Sequence, residues 1–461
     1  MKTETEVEKH KTMKLSARLK SDRGGWQDHA QGSVGLDRKT YNSIKSMVHF
    51  RLVEQLDLST ITELPRDALA ITVRESLETI TGAEKVPLNH RERSTLISDL
   101  INEILGLGPI ESLVKDRHIQ DILVNGPDQV YIEKNGMLEI TPVQFRDTDH
   151  LMQIIDKIVS SVGRRIDESS PMVDARLPDG SRVNVIIPPL SLNGPVISIR
   201  KFRETPLTED DLIDSLALTK EMLVFLKAVV RTKLNILISG GTGAGKTTLL
   251  NVLSGFIPHT ERIITIEDSA ELQLGQPHVV KLESRPPNIE GRGEVTLTDL
   301  VKNSLRMRPD RIIVGEARGA EVMDMLQAMN TGHPGSMSTI HANTPTDALS
   351  RMEVMSSMGT SFFSERALRG LLASAINIIV QLARLPDGKR RVISISEVQG
   401  MKGDDIIVCP VFMFRQKGVD DDGNIYGSFT GTDNKPFFLE HIKTHGVDIN
   451  IDLFRGEKEV K

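Results

Sequence analysis

Gly240-Gly241-Thr242-Gly243-Ala244-Gly245-Lys246-Thr247-Thr248 is the stretch on which the reading of this chain turns. It fits the pattern G-x-x-x-x-G-K-[ST], a glycine-rich loop that wraps a polyphosphate. Several backbone N–H groups must point at one anion, and only glycines let the chain curl that tightly. Lys246 adds a positive charge for the outer phosphates, and Thr247 offers a hydroxyl to Mg²⁺. Such a pattern also arises by chance, so the flanks decide. Before the loop, Leu234-Asn235-Ile236-Leu237-Ile238 is a short apolar run of buried-strand type. After it, Leu249, Leu250, Val252 and Leu253 recur as on a helix, whose positive end would face the anion. An amphipathic segment, Glu221 to Arg231, precedes the strand. Gly241, Thr242, Gly243, Ala244, Gly245, Lys246, Thr247 and Thr248 are therefore the candidate nucleotide-binding residues.

Three further strands extend the pattern. Arg262-Ile263-Ile264-Thr265-Ile266 ends at Glu267-Asp268, with Glu271 one turn on. Carboxylates at a strand end suit metal coordination or water activation, although a solvated acidic turn looks the same. Thr296-Leu297-Thr298-Asp299 reads as a capping box, opening a helix that Pro309 closes. Arg311-Ile312-Ile313-Val314-Gly315-Glu316 ends in an acid where phosphate-loop enzymes orient Mg²⁺ or the attacking water. A helix from Gly319 to Met329 stops at Gly332, and Gly335 to Ile340 makes the last strand, ending at His341-Ala342-Asn343. His333 lies in the turn before that strand. Two histidines flanking one strand suggest metal ligands, but no cysteine or spaced third ligand joins them. Contact with the γ-phosphate, or a structural hydrogen bond, fits better. Strand tips of an open parallel sheet are where ligands bind, so these groups converge by topology. Phosphoryl transfer also calls for arginine. Arg182 and Arg200 lie at strand positions of the upstream domain, and Arg306, Arg308 and Arg318 within the catalytic domain. Each alone reads as a surface residue, but together they fit a nucleotide site closed between two domains.

Length and composition set bounds. A chain of 461 residues supports two or three domains. Charged residues make up 26%, and the net charge of −6 disfavours nucleic acid as the main partner. The one cysteine, Cys409, excludes an internal disulfide and a four-cysteine zinc site, and suits a reducing cytoplasm. No apolar run approaches the roughly 20 residues that span a bilayer. The N-terminus lacks the apolar core of a secretory signal. A membrane link is therefore expected only through a partner.

Along the chain, residues 1–38 read as a polar tail holding Trp26. Residues 39–92 carry helical patterning, in Tyr41, Ile44, Met47, Val48, Leu52 and Leu56, then from Leu64-Pro65 through Leu69, Val73, Leu77 and Ile80. Residues 93–203 form a compact α+β domain: a helix from Leu96 to Leu105, strands at 121–124, 130–133, 183–187 and 196–199, and a helix from His150 to Val162. Turns at Asn125-Gly126, Asn135-Gly136 and Asp179-Gly180 separate them. Residues 204–218 read as a linker. The catalytic domain covers 219–461, with a C-terminal appendage from about 402 that holds strand-like pieces at 406–408 and 411–414.

Taken together, these residues resemble the secretion ATPases of type II/IV machines, most closely the CpaF/TadA-like branch of tight-adherence (Flp) pilus assembly. The resemblance covers about residues 95–400. Besides the loop it rests on Gly163-Arg164-Arg165-Ile166-Asp167-Glu168-Ser169-Ser170-Pro171, on Leu177-Pro178-Asp179-Gly180-Ser181-Arg182-Val183-Asn184 and on Ile199-Arg200-Lys201-Phe202. Thr265-Ile266-Glu267-Asp268 is similar to the family's Asp box, Arg308-Pro309-Asp310-Arg311 through Gly315-Glu316 to its Walker B segment, and Thr331-Gly332-His333 to His341-Ala342-Asn343 to its His box. The resemblance implies an α/β fold: a RecA-like P-loop NTPase core, an upstream PAS-like α+β domain and an N-terminal helical extension. It implies that Lys246 and Thr247 bind phosphate and Mg²⁺, that Glu267 and Asp268 organise the metal, that Glu316 is the catalytic glutamate, and that His341 contacts the γ-phosphate region. Arg182 and Arg200 would reach over from the upstream domain. It further implies ATP as substrate, a homo-hexamer, and an inner-membrane platform protein as partner, with the chain cytoplasmic and peripheral to the membrane. Pro334 departs from the family's turn, where an acid is expected. Two other classes stay open: a nucleic-acid translocase, disfavoured by charge and by 4% aromatic content, and a nucleotide-switched scaffold, disfavoured by Glu316.

Overall fold

The computed structural model describes residues 38–55, 66–83, 88–134, 136–202, 205–287, 292–359, 363–433 and 435–460. The expected tail with Trp26, and Leu56, Leu64, Pro65 and Asn135, lie outside these. The chain divides into two compact units between Phe202 and Arg203.

The first unit begins with helices α1 (Arg38–Gln55), α2 (Arg66–Ala83) and α3 (His90–Leu105). Helix α3 starts six residues before the expected Leu96 because Asn89 and Glu92 form a reciprocal capping box, each bond 2.9 Å. Val48 and Leu52, Val73, Leu77 and Ile80, and Leu96, Ile97 and Leu100 recur at helical spacing and meet in one apolar cluster. There follow α4 (Glu111–Lys115), β1 (Ile119–Asn125), β2 (Val130–Lys134), β3 (Met137–Ile140), α5 (Thr148–Ser161), β4 (Met172–Arg176), β5 (Arg182–Ile186) and β6 (Val196–Arg200). The six strands make one antiparallel sheet in the order β3-β2-β1-β6-β5-β4. Its buried face, with Ile122, Val124, Val183, Val185 and Ile197, packs in one core with Leu151, Ile155 and Ile158 of α5.

The second unit holds α6 (Glu209–Asp214), α7 (Lys220–Arg231), β7 (Ile236–Gly240), α8 (Lys246–Ser254), β8 (Ile263–Glu267), β9 (Val279–Glu283), α9 (Leu297–Ser304), β10 (Arg311–Ala317), α10 (Glu321–Asn330), β11 (Met337–Ile340), α11 (Pro345–Gly359), α12 (Glu365–Ala375), β12 (Ile378–Arg384), β13 (Arg390–Lys402), β14 (Asp405–Val419), β15 (Ile425–Gly431), α13 (Leu439–Thr444) and β16 (Glu457–Val460). All ten strands join one sheet, ordered β16-β15-β14-β13-β12-β7-β11-β10-β8-β9. Strands β9 through β12 pair in parallel, and from β12 outward the pairing is antiparallel. Strands β7, β8 and β11 are buried along their whole length, and β7 and β8 read accordingly as mainly apolar runs, while β11 buries Ser338 and Thr339. Ile236, Ile238, Ile263 and Ile313 face one core with α7 and α8. Leu237, Ile264, Ile266, Ile312 and Val314 face the other with α10 and α11. One strand, β11, separates the loop-bearing β7 from β10. The α/β core is thus RecA-like, as expected.

The two apolar pieces at 406–408 and 411–414 belong to a single strand, β14, which crosses Pro410. It extends the sheet beyond β13 rather than packing on it. Phe412 of β14, Phe225 of α7 and Phe454 form an aromatic cluster with centroids 5.5–5.9 Å apart. Before α7, a capping box between Thr208 and Asp211 opens α6, and Leu212, Ala217 and Leu218 enter the core.

At the start of β10, Arg311 has no exposure to solvent. Its Nε donates to Glu261 Oε2 at 2.6 Å, Nη1 to the Gly335 carbonyl at 3.0 Å and Nη2 to the Val230 carbonyl at 2.9 Å. A charge taken out of water survives only when its donors are matched in this way. The turn with the unexpected Pro334 is shaped by this contact. Gly335 has φ +80, and a Cβ there would lie 1.8 Å from Arg311 Nη1. Gly335→Ala should cost about 2–4 kcal/mol through backbone strain and loss of the pairing. Glu261→Gln, which strips the counter-charge, should cost about 3–5 kcal/mol. Urea unfolding midpoints of the full chain check both, and an unchanged midpoint in Gly335→Ala refutes the packing argument.

Candidate functional site

Strand β7 ends at Gly240 and α8 opens at Lys246, so the loop spans the gap between a buried strand and a helix N-terminus. Gly243 (φ 68) and Gly245 (φ 94) take left-handed backbone that other residues resist. Ala244 turns inward and is buried. A Cβ on Gly240 would fall 2.8 Å from the Leu382 carbonyl of β12, so the loop's root presses on the next strand. Lys246 Nζ folds back and donates to the carbonyls of Gly240 (3.0 Å) and Gly241 (3.1 Å). Thr242 is exposed, and Gly241, Gly243, Gly245, Lys246, Thr247 and Thr248 are half-buried, so the positive end of α8 opens to solvent.

Glu267, the last residue of β8, is buried. Its Oε2 accepts from the N–H groups of Glu271 (2.8 Å) and Leu272 (3.1 Å), while its buried Oε1 has no hydrogen-bond donor. Burial pushes its pKa up, and the two N–H bonds only partly offset that. Its stem lies against Gly315, where a Cβ would come within 2.9 Å of Glu267 Cγ. Asp268, exposed, accepts from the Ser284 hydroxyl at 3.1 Å. Glu316, near the end of β10, is held by Arg318, whose Nε (3.1 Å) and Nη2 (2.6 Å) both reach Glu316 Oε2. The third nitrogen, Nη1, bonds Asp268 Oδ2 at 3.1 Å. Burial disfavours the Arg318 charge, but Glu316, Asp268 and Glu271 outweigh it and raise its pKa. Among the described residues, no three His, Cys, Asp or Glu side chains stand together as a metal cage. Glu267, Asp268 and Glu316 are neighbours at one sheet edge rather than a preformed ligand set.

His341 follows β11. Burial lowers its pKa, the Lys246 charge lowers it further, Glu316 raises it and Arg351 lowers it. It therefore lies within electrostatic reach of both the loop lysine and the β10 acid. It lines an open cleft with Asn343, Asp347, Ser350 and Arg351. Gln381 of β12 fixes the backbone here by donating to the Ala342 and Asn343 carbonyls, each at 3.1 Å. His333 does not join it. Its Nδ1 lies 3.1 Å from the Pro309 carbonyl, ahead of the strand that His341 follows, which is a structural contact.

The arginines separate. Arg182 and Arg200 face each other on β5 and β6 of the first unit. Arg306 and Arg308 are exposed beyond α9. Of the three in the second unit, Arg318 is the one bonded to the acids. Two others escaped the sequence reading. Arg384 and Arg390 are the last cross-strand pair before the β12–β13 turn. Arg390 Nε donates to the Gly243 carbonyl at 2.8 Å, and a Cβ on Gly243 would fall 3.3 Å from Arg384 Nη1. The turn Pro386-Asp387-Gly388-Lys389 marks a hairpin, but only the β7–β12 pairing puts its mouth beside the loop.

Residues 103–421 match the family described as Type II/IV secretion system protein. A putative conjugal transfer protein of Mycobacterium tuberculosis is 38% identical over 312 residues, 66% of this chain and 88% of that protein. The type IV secretion system protein VirB11 of Bartonella henselae is 33% identical over 329 residues, 63% of this chain and 91% of that one. Among solved structures, the VirB11 ATPase of the Brucella suis type IV secretion system is 29% identical with a TM-score of 0.35, over 63% of this chain and 92% of that one. The pilus retraction motor PilT is 21% identical with a TM-score of 0.47, over 64% and 83%. On the extent of the family match and the identity to these relatives, the chain belongs to the type II/IV secretion ATPase family.

Proposed function

We propose that the protein hydrolyses ATP to ADP and phosphate with Mg²⁺, as the homo-hexameric motor of a tight-adherence (Flp) pilus or a related secretion machine, in the CpaF/TadA-like branch. The observation that carries the reading is the meeting, at one edge of the parallel sheet, of the glycine loop, Glu267-Asp268, Glu316 and His341. A nucleotide and its cation fit this edge. Gly243 and Gly245 take the left-handed backbone that lets the loop curl and its N–H groups converge, and Glu267 Oε1 lacks a donor that a metal-bound water would supply. Bound Mg²⁺ would neutralise the phosphates and take most of its ligands from phosphate and water.

The chain's own groups then have separate tasks. Gly241 to Thr248 present N–H groups at the start of α8, and Lys246 exchanges its loop carbonyls for phosphate oxygens. Thr247, Asp268 and Glu316, with Glu267 behind them, would hold the cation and its water shell. Glu316 accepts a hydrogen bond from the attacking water and orients it. His341, kept neutral near pH 7 by its lowered pKa, offers a donor to the γ-phosphate side. Arg182 and Arg200 act from an upstream domain, residues 93–203, which we read as PAS-like from its antiparallel order. Residues 39–92 form its helical extension and 219–461 the ATPase domain, with 204–218, which carries α6, as the linker packed against the latter. Work follows if nucleotide binds open and closed arrangements with different affinity. No helix among the described residues is long and apolar enough to cross a membrane. An inner-membrane platform protein is therefore the proposed anchor for a cytoplasmic, peripheral motor, and a net charge of −6 gives no reason to expect direct nucleic-acid binding.

Two mutants separate binding from chemistry. Lys246→Ala should abolish binding of a fluorescent ATP analogue. Glu316→Gln should keep ATP bound while phosphate release falls about 100-fold or more. Hydrolysis at the wild-type rate in Glu316→Gln would sink the assignment of the catalytic acid, and stimulation by DNA would revive a translocase. Glu267 yields a stability test. Its folded pKa lies above its ordinary 4.5, so its protonated form favours the fold. That contribution is full below 4.5 and is lost as pH rises through the higher folded value. Glu267→Gln should flatten this part of the stability–pH profile measured by urea unfolding, and an unchanged slope would contradict the burial argument.

A further inference from the structure

One guanidinium serves two acids of the site, exposed Asp268 and half-buried Glu316. Arg318 places Nε and Nη2 on Glu316 and Nη1 on Asp268. We propose that Arg318 is a positioning residue that holds Glu316 and Asp268 together and competes with the divalent cation for them. This rests on the ATPase reading and deepens it. Two carboxylates brought this close need a positive charge between them. A guanidinium cannot give up its proton at any working pH, so it yields its place only by moving.

The surroundings allow the side chain to move and hold the backbone still. The N–H groups of Arg318 and Gly319 both donate to Oε1 of buried Glu321, at 2.6 and 2.8 Å. The Cα position is thereby pinned to the start of α10. The Arg318 side chain is 56% exposed, so its route into water is open. On the other acid, the Ser284 hydroxyl occupies Asp268 Oδ1, which leaves Oδ2, the oxygen Arg318 now holds, as the one to hand over. Among the described residues no three His, Cys, Asp or Glu side chains stand together as a metal cage, so the two acids are bridged by the guanidinium rather than preset for a metal. The energetic consequence is a tax on metal affinity. Glu316 and Asp268 are open to the cation only in the fraction of molecules whose arginine has swung out, and the part of its affinity that they supply falls accordingly. Arg318 thus keeps the catalytic acid aligned before the metal–nucleotide arrives and moderates how tightly the metal is kept afterwards.

The test is a Mn²⁺ titration, followed by electron paramagnetic resonance, of full-length protein saturated with ADP. Arg318→Ala should bind Mn²⁺ about five- to tenfold tighter than wild type, and Arg318→Lys, which restores a competing charge, should return toward it. A merely structural arginine predicts the reverse, equal or weaker Mn²⁺ binding in Arg318→Ala, and that result overturns the proposal. Thermal melting checks the fold of each variant. If Arg318→Ala does not fold, the neutral Arg318→Gln decides, because it too must tighten Mn²⁺ binding. ADP binding in EDTA is measured beside it. Wild-type protein that takes no ADP overturns the ATPase reading and this inference with it. ADP binding with unchanged Mn²⁺ affinity in the variants overturns this inference alone.

Discussion

A guanidinium shut away from water holds one end of the catalytic sheet. Glu261 matches the buried charge of Arg311, and the carbonyls of Val230 and Gly335 fill its other donors. Those partners come from the end of α7, the loop before β8 and the turn before β11. One side chain therefore ties the starts of β8, β10 and β11 to the helix beside them. In a parallel sheet all these strands run the same way, so strands tied at their starts bring their ends to one edge. Glu267, Glu316 and His341 owe their common neighbourhood to that registration.

The chemical end is built on the opposite plan. Its charges are held nearer to water: Lys246 by part-buried bonds to loop carbonyls, Arg318 by exposed pairs with Glu316 and Asp268. Exposed pairs of this kind contribute little to stability, typically below about 1 kcal/mol each. A ligand can therefore exchange them at small cost. Glu267 stands apart, because its carboxylate is buried and half satisfied. The desolvation it suffers is repaid only if something supplies the missing donor, which is why its orphaned oxygen points to an occupant of the site.

Much of this was legible in the residues. Apolar runs marked β7, β8 and β10, because strands buried on both faces need no polar alternation. The capping box at Thr296-Asp299 marked α9, although that helix ends at Ser304 rather than running on toward Pro309. Edge strands were harder. Met137, Leu138 and Ile140 of β3 are all exposed, so no period-2 signal exists there, and β4 and β9 likewise lie at sheet edges. In the segment 204–218, the acids that suggested a linker are the cap and solvent face of α6, while Leu212 supplies its single buried contact. Pro410 disguised β14 as two pieces. Arg384 and Arg390 were invisible for a different reason. Their contact with the loop depends on which strand lies beside β7, and local pattern carries no information about strand neighbours.

That neighbour also explains what the C-terminal strands contribute. Leu382 of β12 presses its carbonyl on Gly240, and Arg390 of β13 grips the Gly243 carbonyl, so the loop is braced from the hairpin side. The hairpin is itself backed by β14, and β14 is locked to α7 through Phe412, Phe225 and Phe454. The loop thus sits on a continuous chain of packed contacts running back to the helix that Arg311 anchors. Across the site, Arg318 and the acids rest on solvent-exposed bonds. The loop side of the site is rigid and the acid side adjustable. Rearrangement on ligand binding should therefore concentrate in the acids and their arginine, and leave the glycine cradle where the sheet holds it.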